Sequence, residues 1–122
     1  MAVKQEARIG IYYGWSETEG WADQMDINLR RIAFLLNPSV INRTQTSPPV
    51  SPVDGAAYIV ASPATGTFVG LENQFMVWSA ADGNWLPIVP KDGQEAVVIS
   101  EGTWGTRIVF KGGAWSPGVA LG

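Results

Sequence analysis

The change of period at Asn37-Pro38 constrains this chain more than any other feature. Before it, apolar residues recur at helical spacing; after it, short apolar runs alternate with turn residues. A helix followed by a series of short strands is the pattern of an α+β fold that is mainly β. With 122 residues the chain is long enough for one modest core. The expected architecture is an N-terminal arm and one amphipathic helix, followed by a small antiparallel sheet of Trp-containing hairpins. Residues 1–37 read as the arm and helix, serving oligomerisation and docking. Residues 38–122 read as an antiparallel β domain that forms one folding unit with the helix.

Ala7 to Trp15 is rich in β-branched and aromatic residues and reads as a short strand or arm ended by Gly14. Ser16 or Thr18 can then cap a helix, acids fill its first turn, and Arg30 and Arg31 lie towards its other end. Asn37-Pro38 stops propagation, so the helix is expected over about residues 20–36. On a helical wheel Trp21, Met25, Leu29, Ile32 and Leu36 form one stripe, which reads as the core face packed on the chain's own sheet. Ile27 and Phe34 stand seven residues apart on nearly the opposite side, amid Asp23, Gln24, Asp26 and Arg30. Ile27 and Phe34, with Arg31, therefore read as an oligomer interface.

Beyond Pro38, strands are expected at Ala57 to Ala61, Gln74 to Ser79, Asn84 to Val89, Ala96 to Ser100 and Thr106 to Lys111. The stretch from Ser47 to Gly55 holds too many prolines for a central strand and reads as a connector from helix to sheet, with a turn at Asp54-Gly55. A Gly-x-aromatic unit recurs at Gly66-Thr67-Phe68, Gly83-Asn84-Trp85, Gly102-Thr103-Trp104 and Gly113-Ala114-Trp115, at unequal spacing. It reads as a hairpin unit, with glycine supplying the turn and the aromatic side chain covering it.

Six tryptophans in so short a chain have two uses. Each buried ring removes about 150 to 250 Å² from water, which a small sheet without disulfides needs. Trp78 and Trp85 flank Ala80-Ala81-Asp82-Gly83 and are expected to face each other across a hairpin. Trp85 and Trp115 are expected to be mainly structural. Trp104 lies between two glycines and is the first choice for a surface ring; Trp104 and Trp115 are the candidate ligand-binding residues, with a sugar as the ligand class.

Several chemistries are set aside by composition. Cysteine and histidine are both absent, which removes thiol nucleophiles, His-based triads and His or Cys metal sites. Glu17, Glu19, Asp23 and Asp26 form the one dense acidic cluster, and acids at a helix start complement the helix dipole without further role. The net charge is −3, residues 47–122 hold six acids against three bases, and no basic run offsets them, so nucleic acid is not an expected partner. No phosphate-loop glycine pattern appears, and no apolar run suits a targeting segment or membrane insertion. The expected protein is not an enzyme and takes no cofactor and no metal.

The order of features also resembles a known family. The residues concerned are Gly14-Trp15 and Gly20-Trp21 before the helix and Asp26-Ile27-Asn28-Leu29-Arg30 within it. They continue with Pro48-Pro49, Pro52, Asp54-Gly55 and Tyr58-Ile59-Val60, then Gly66, Gly70, Val77-Trp78, Gly83-Asn84-Trp85 and Gly113-Ala114-Trp115. In that order they resemble a domain-of-unknown-function family of small phage and prophage tail-region proteins, also found at the N-termini of tail fibres. The resemblance implies a bacteriophage virion structural protein, a tail fibre or baseplate-associated adaptor made in the bacterial host cytoplasm and docked to other tail proteins. It implies a homo-oligomer, a trimer in preference to a dimer, and brings no catalytic residues. The alternatives are a carbohydrate-binding module that recognises a host surface glycan, and a capsid decoration protein.

Overall fold

The structure, a computed structural model, describes residues 3–16 and 20–122. The chain divides into two compact units, Met1–Asn37 and Pro38–Gly122. Among the described residues, one α-helix and a majority of antiparallel strands make it a small, mainly β, α+β fold.

In the N-terminal unit, β1 (Lys4–Gln5) and β2 (Tyr12–Tyr13) form an antiparallel hairpin in which Lys4 faces Tyr13 and Gln5 faces Tyr12. The arm is thus a folded-back ribbon rather than a single strand. Its loop closes on Glu6, whose carboxylate accepts the backbone N–H groups of Arg8, Ile9 and Ile11 at 2.8 to 2.9 Å. Helix α1 runs over Ala22–Leu36 and ends at Asn37, ahead of Pro38. Trp21, not Ser16, occupies the N-cap position, and its side chain makes no capping hydrogen bond. Thr18, Glu17 and Glu19 lie outside the described residues.

The core face assigned to α1 from its periodicity is not the one the structure covers. Leu29 is 57% and Leu36 81% exposed, Trp21 and Ile32 are also exposed, and Met25 is half-buried. The covered side carries Asn28 and Phe34, both buried, with Gln24, Ile27, Arg31 and Leu35 half-buried. Periodicity showed which residues share a face; it could not show which face has a partner.

In the second unit, β3 (Ser39–Val40) starts directly after Pro38, so the chain enters the sheet before the proline-rich connector rather than after it. Then follow β4 (Ala57–Ile59), β5 (Phe75–Ser79), β6 (Asn84–Ile88), β7 (Glu95–Val98), β8 (Thr106–Lys111), β9 (Ala114–Trp115) and β10 (Val119–Ala120). One sheet runs β10-β8-β7-β3 with β9 also on β8, and the other runs β4-β5-β6. The strands pair antiparallel except that β3 runs parallel to β7, with Val40 opposite Val98, and an isolated parallel bridge joins Gln45 to Val60. The segment that follows joins the sheets: Ile41 N–H donates to Ala57, Ile59 N–H to Asn42 and Ala61 N–H to Gln45.

Strand alternation builds the interior. Ala96 and Val98 of β7 and Thr106 and Ile108 of β8 point inward, while Glu95 and Arg107 face out and pair at 3.7 Å. Val60, Phe68 and Met76 form a closed cluster, packed by Ala64, Leu71 and Trp85. At about 1.5 to 3 kcal/mol for each buried aliphatic or Phe side chain, such clusters hold the sheets together without disulfides. Phe68 enters from a 3₁₀ turn at Gly66–Phe68, so this Gly-x-aromatic unit is not a hairpin. Pro87 lies within β6, at the outer edge of the β4-β5-β6 sheet, and removes a donor from that edge.

Candidate assembly surface

Three polar side chains of α1, Gln24, Asn28 and Arg31, stand at steps of four and three and so share one line along the helix. All three reach the arm. Asn28 Nδ2 donates to Tyr12 C=O at 2.8 Å while its Oδ1 accepts Tyr12 N–H at 2.7 Å, so the amide acts as a third strand for β2. Arg31 donates to Gly10 C=O at 2.7 Å and lies over the Tyr12 ring, 5.4 Å from its centroid. Trp15 Nε1 donates to Gln24 Oε1 at 2.7 Å. The line through Gln24, Asn28 and Arg31 is the surface on which the arm docks.

Of the residues expected at an oligomer interface, Ile27 is half-buried, Phe34 is buried, and Arg31 is engaged by the arm within its own chain. What α1 turns outward is the apolar side with Trp21, Leu29, Ile32 and Leu36. The sequence contained this stripe, but not the fact that the opposite side is occupied. Gln24 and Asn28 were missed because a bond from a side chain to a distant main chain has no signature in spacing.

The aromatic residues of the β unit sort into two packed groups and one surface ring. Trp78 and Trp85 face each other in the β5-β6 register with ring centroids 5.2 Å apart, and Trp85 also meets Phe68 edge-on at 5.4 Å and Tyr58 at 6.0 Å. Gly83, at φ 66°, makes the turn between them, a backbone conformation that favours glycine. Trp115 packs between Phe75 and Phe110 at 5.3 and 5.2 Å, and its Nε1 donates to Asn73 C=O at 2.9 Å. Its ring is therefore fixed as packing. Trp104 is 74% exposed, and its indole lies beside the Gly122 backbone. Of these two candidate rings, Trp104 is exposed and Trp115 half-buried.

Near the Trp104 loop, Arg43 binds Glu101 through Nε and Nη2, both at 2.8 Å, and donates to the carbonyls of Ser116 and Pro117. This clamp joins residues far apart in sequence and uses both carboxylate oxygens, so Glu101 is committed to structure. A shallow groove of about 330 Å³ lies along Ser39–Ile41, Val53–Ala57 and Ile99, with Asp54 its one ionisable lining residue. Among the described residues no group of acids could hold a metal ion, and no helix is long and apolar enough to cross a membrane.

The family model of DUF2793, a family of proteins of unknown function, matches residues 25–116. The chain belongs to that family. The DUF2793 match begins inside α1 at Met25 and takes in β3 to β9, leaving the arm and β10 outside it. The matched span thus takes in Leu29, Ile32 and Leu36 of the exposed stripe, together with the whole tryptophan hairpin. A comparison with curated proteins returns no match.

Proposed function

We propose that this DUF2793 protein is a structural component of a bacteriophage virion, a tail fibre or baseplate-associated adaptor that self-associates and docks to other tail proteins. The observation that carries the reading is the outward apolar side of α1, held in place by an arm docked on its polar side. An exposed stripe of this kind suits assembly rather than turnover of a small substrate. The residues that resemble phage tail-region proteins, from Asp26-Ile27-Asn28-Leu29-Arg30 to Gly113-Ala114-Trp115, supply the biological setting. The test is peptide mass spectrometry of purified particles from a host that carries the gene. Peptides of this chain should co-purify with tail proteins through a density gradient, and their absence from particles made while the protein is abundant in the cell would sink the reading.

A second reading, recognition of a host surface glycan, is favoured by Trp104, whose bare ring can stack on a sugar. Under it, Trp104→Ala abolishes binding on a glycan array while Trp115→Phe retains it.

A further inference from the structure

The exposed side of α1 follows a rule narrower than amphipathicity. Ala22, Met25, Leu29, Ile32 and Leu36 succeed one another at steps of three, four, three and four, the a and d spacing of a seven-residue repeat. Ala22, Leu29 and Leu36 take the a positions; Met25 and Ile32 take the d positions. A stripe that repeats every seven residues in this way is the seam one helix offers to another. Trp21 at g and Ala33 at e broaden it, and both are exposed. Ile27 and Phe34 share the f position, farthest from the seam, so their seven-residue spacing marks the back of the helix.

We propose that a second copy of this chain packs on this seam, helix against helix. The proposal rests on the self-association part of the reading above and not on its phage setting. Area is the first argument for a like helix. Trp21, Leu29, Ile32 and Leu36 leave on the order of 500 Å² exposed per copy, so two copies would remove on the order of 1,000 Å², about where specific interfaces begin. Side-chain choice is the second: leucine at a with isoleucine at d is a combination that packs against itself in helical bundles. The third is charge. The seam carries none, while its flanks carry acids, Asp23 and Asp26, and a base, Arg30, so identical helices can approach without a field of one sign between them. The same mixed flanks lack the lysine- and arginine-rich polar face by which a helix lies on an anionic membrane.

Sedimentation velocity of the full chain over a wide concentration range tests the proposal. The wild type should form an oligomer that Leu29→Glu combined with Ile32→Glu converts to monomer, with near-UV and far-UV circular dichroism of the folded protein retained. Val50→Glu, at a fully exposed apolar site in the β unit, should leave the oligomer intact. If the double variant does not fold, Leu36→Glu serves instead, at the most exposed seam position; it should raise the dissociation constant about tenfold or more with the fold unchanged. A wild type that stays monomeric throughout, or an oligomer that survives these charges, overturns the proposal. So does a monomer that binds anionic phospholipid vesicles through the same residues. An oligomer whose peptides are missing from particles would remove the phage setting and leave the seam standing; a monomer found in particles would do the reverse.

Discussion

Asn28 holds the arm through a single amide. It is buried, and both its polar atoms are committed to the backbone of Tyr12. Asn28→Ala should strip partners from the Tyr12 N–H and C=O at a cost of about 1 to 3 kcal/mol for each group left buried and unsatisfied, read as faster hydrogen exchange at Tyr12. Asn28→Asp should also loosen the arm, because a carboxylate can accept the Tyr12 N–H but repels its C=O. Glu6 gives the arm a pH dependence. The Ile11 N–H, against a smaller opposing effect of burial and with help from Arg8, Ile9 and Gly10, lowers its pKa from 4.5 to about 2. A depressed carboxylate stabilises the folded arm above its ordinary pKa and loses that contribution as pH falls through the folded value. Exchange protection of the Ile11 amide should hold above pH 4.5 and decline from there towards pH 2. Glu6→Gln should flatten that profile. Among tryptophans, acrylamide quenching of single-Trp variants should rank Trp104 well above Trp85 and Trp115, in line with its 74% exposure.

For helix α1, the balance between its two sides makes a contrast that thermal unfolding can measure. A leucine in a core is worth about 2 to 5 kcal/mol over alanine, and the wheel alone assigns Leu29 that role. At 57% exposure, Leu29→Ala should instead cost the protomer less than about 1 kcal/mol. Phe34→Ala removes a buried ring and should cost about 3 to 5 kcal/mol. Equal losses at the two positions would contradict the orientation of α1 described above. Because Leu29 lies on the proposed seam, the comparison belongs at concentrations where the chain is monomeric.

Across the whole β unit, the Arg43 clamp fixes a segment that hydrophobic packing leaves loose. The chain after β9 contributes only the short strand β10, whose Val119 and Ala120 are exposed. Arg43 ties Ser116 and Pro117 to the loop that carries Glu101, and Leu121 N–H donates to Gly105 C=O beside it. Gly105 has φ 87°, and an added Cβ would lie 2.7 Å from Val97 Cγ1, so the approach requires glycine. Arg43→Lys keeps the charge but loses the two-pronged contact. It should lower stability by about 1.5 to 3 kcal/mol and increase proteolysis after residue 116, while the Trp78–Trp85 exciton signal in circular dichroism persists.

Local chemistry settled much of this protein from its sequence. The hairpin that sets Trp78 against Trp85 was legible because glycine at the turn and alternation along the strands fix a register within a few residues. The five main strands fell near their expected places for the same reason, and Asn37-Pro38 marked the end of α1. The exposed ring of Trp104 followed from its glycine-flanked loop. Tertiary structure alone decided which side of α1 is covered, since apolar residues stand on both sides and the deciding bonds run from Asn28 and Arg31 to the main chain of the arm. It also decided that β3 runs parallel to β7 and that Arg43 reaches Glu101 across 58 positions. A pattern of residue types records what each face is made of. Whether a partner covers that face depends on where the rest of the chain returns, and spacing along the sequence carries no record of that.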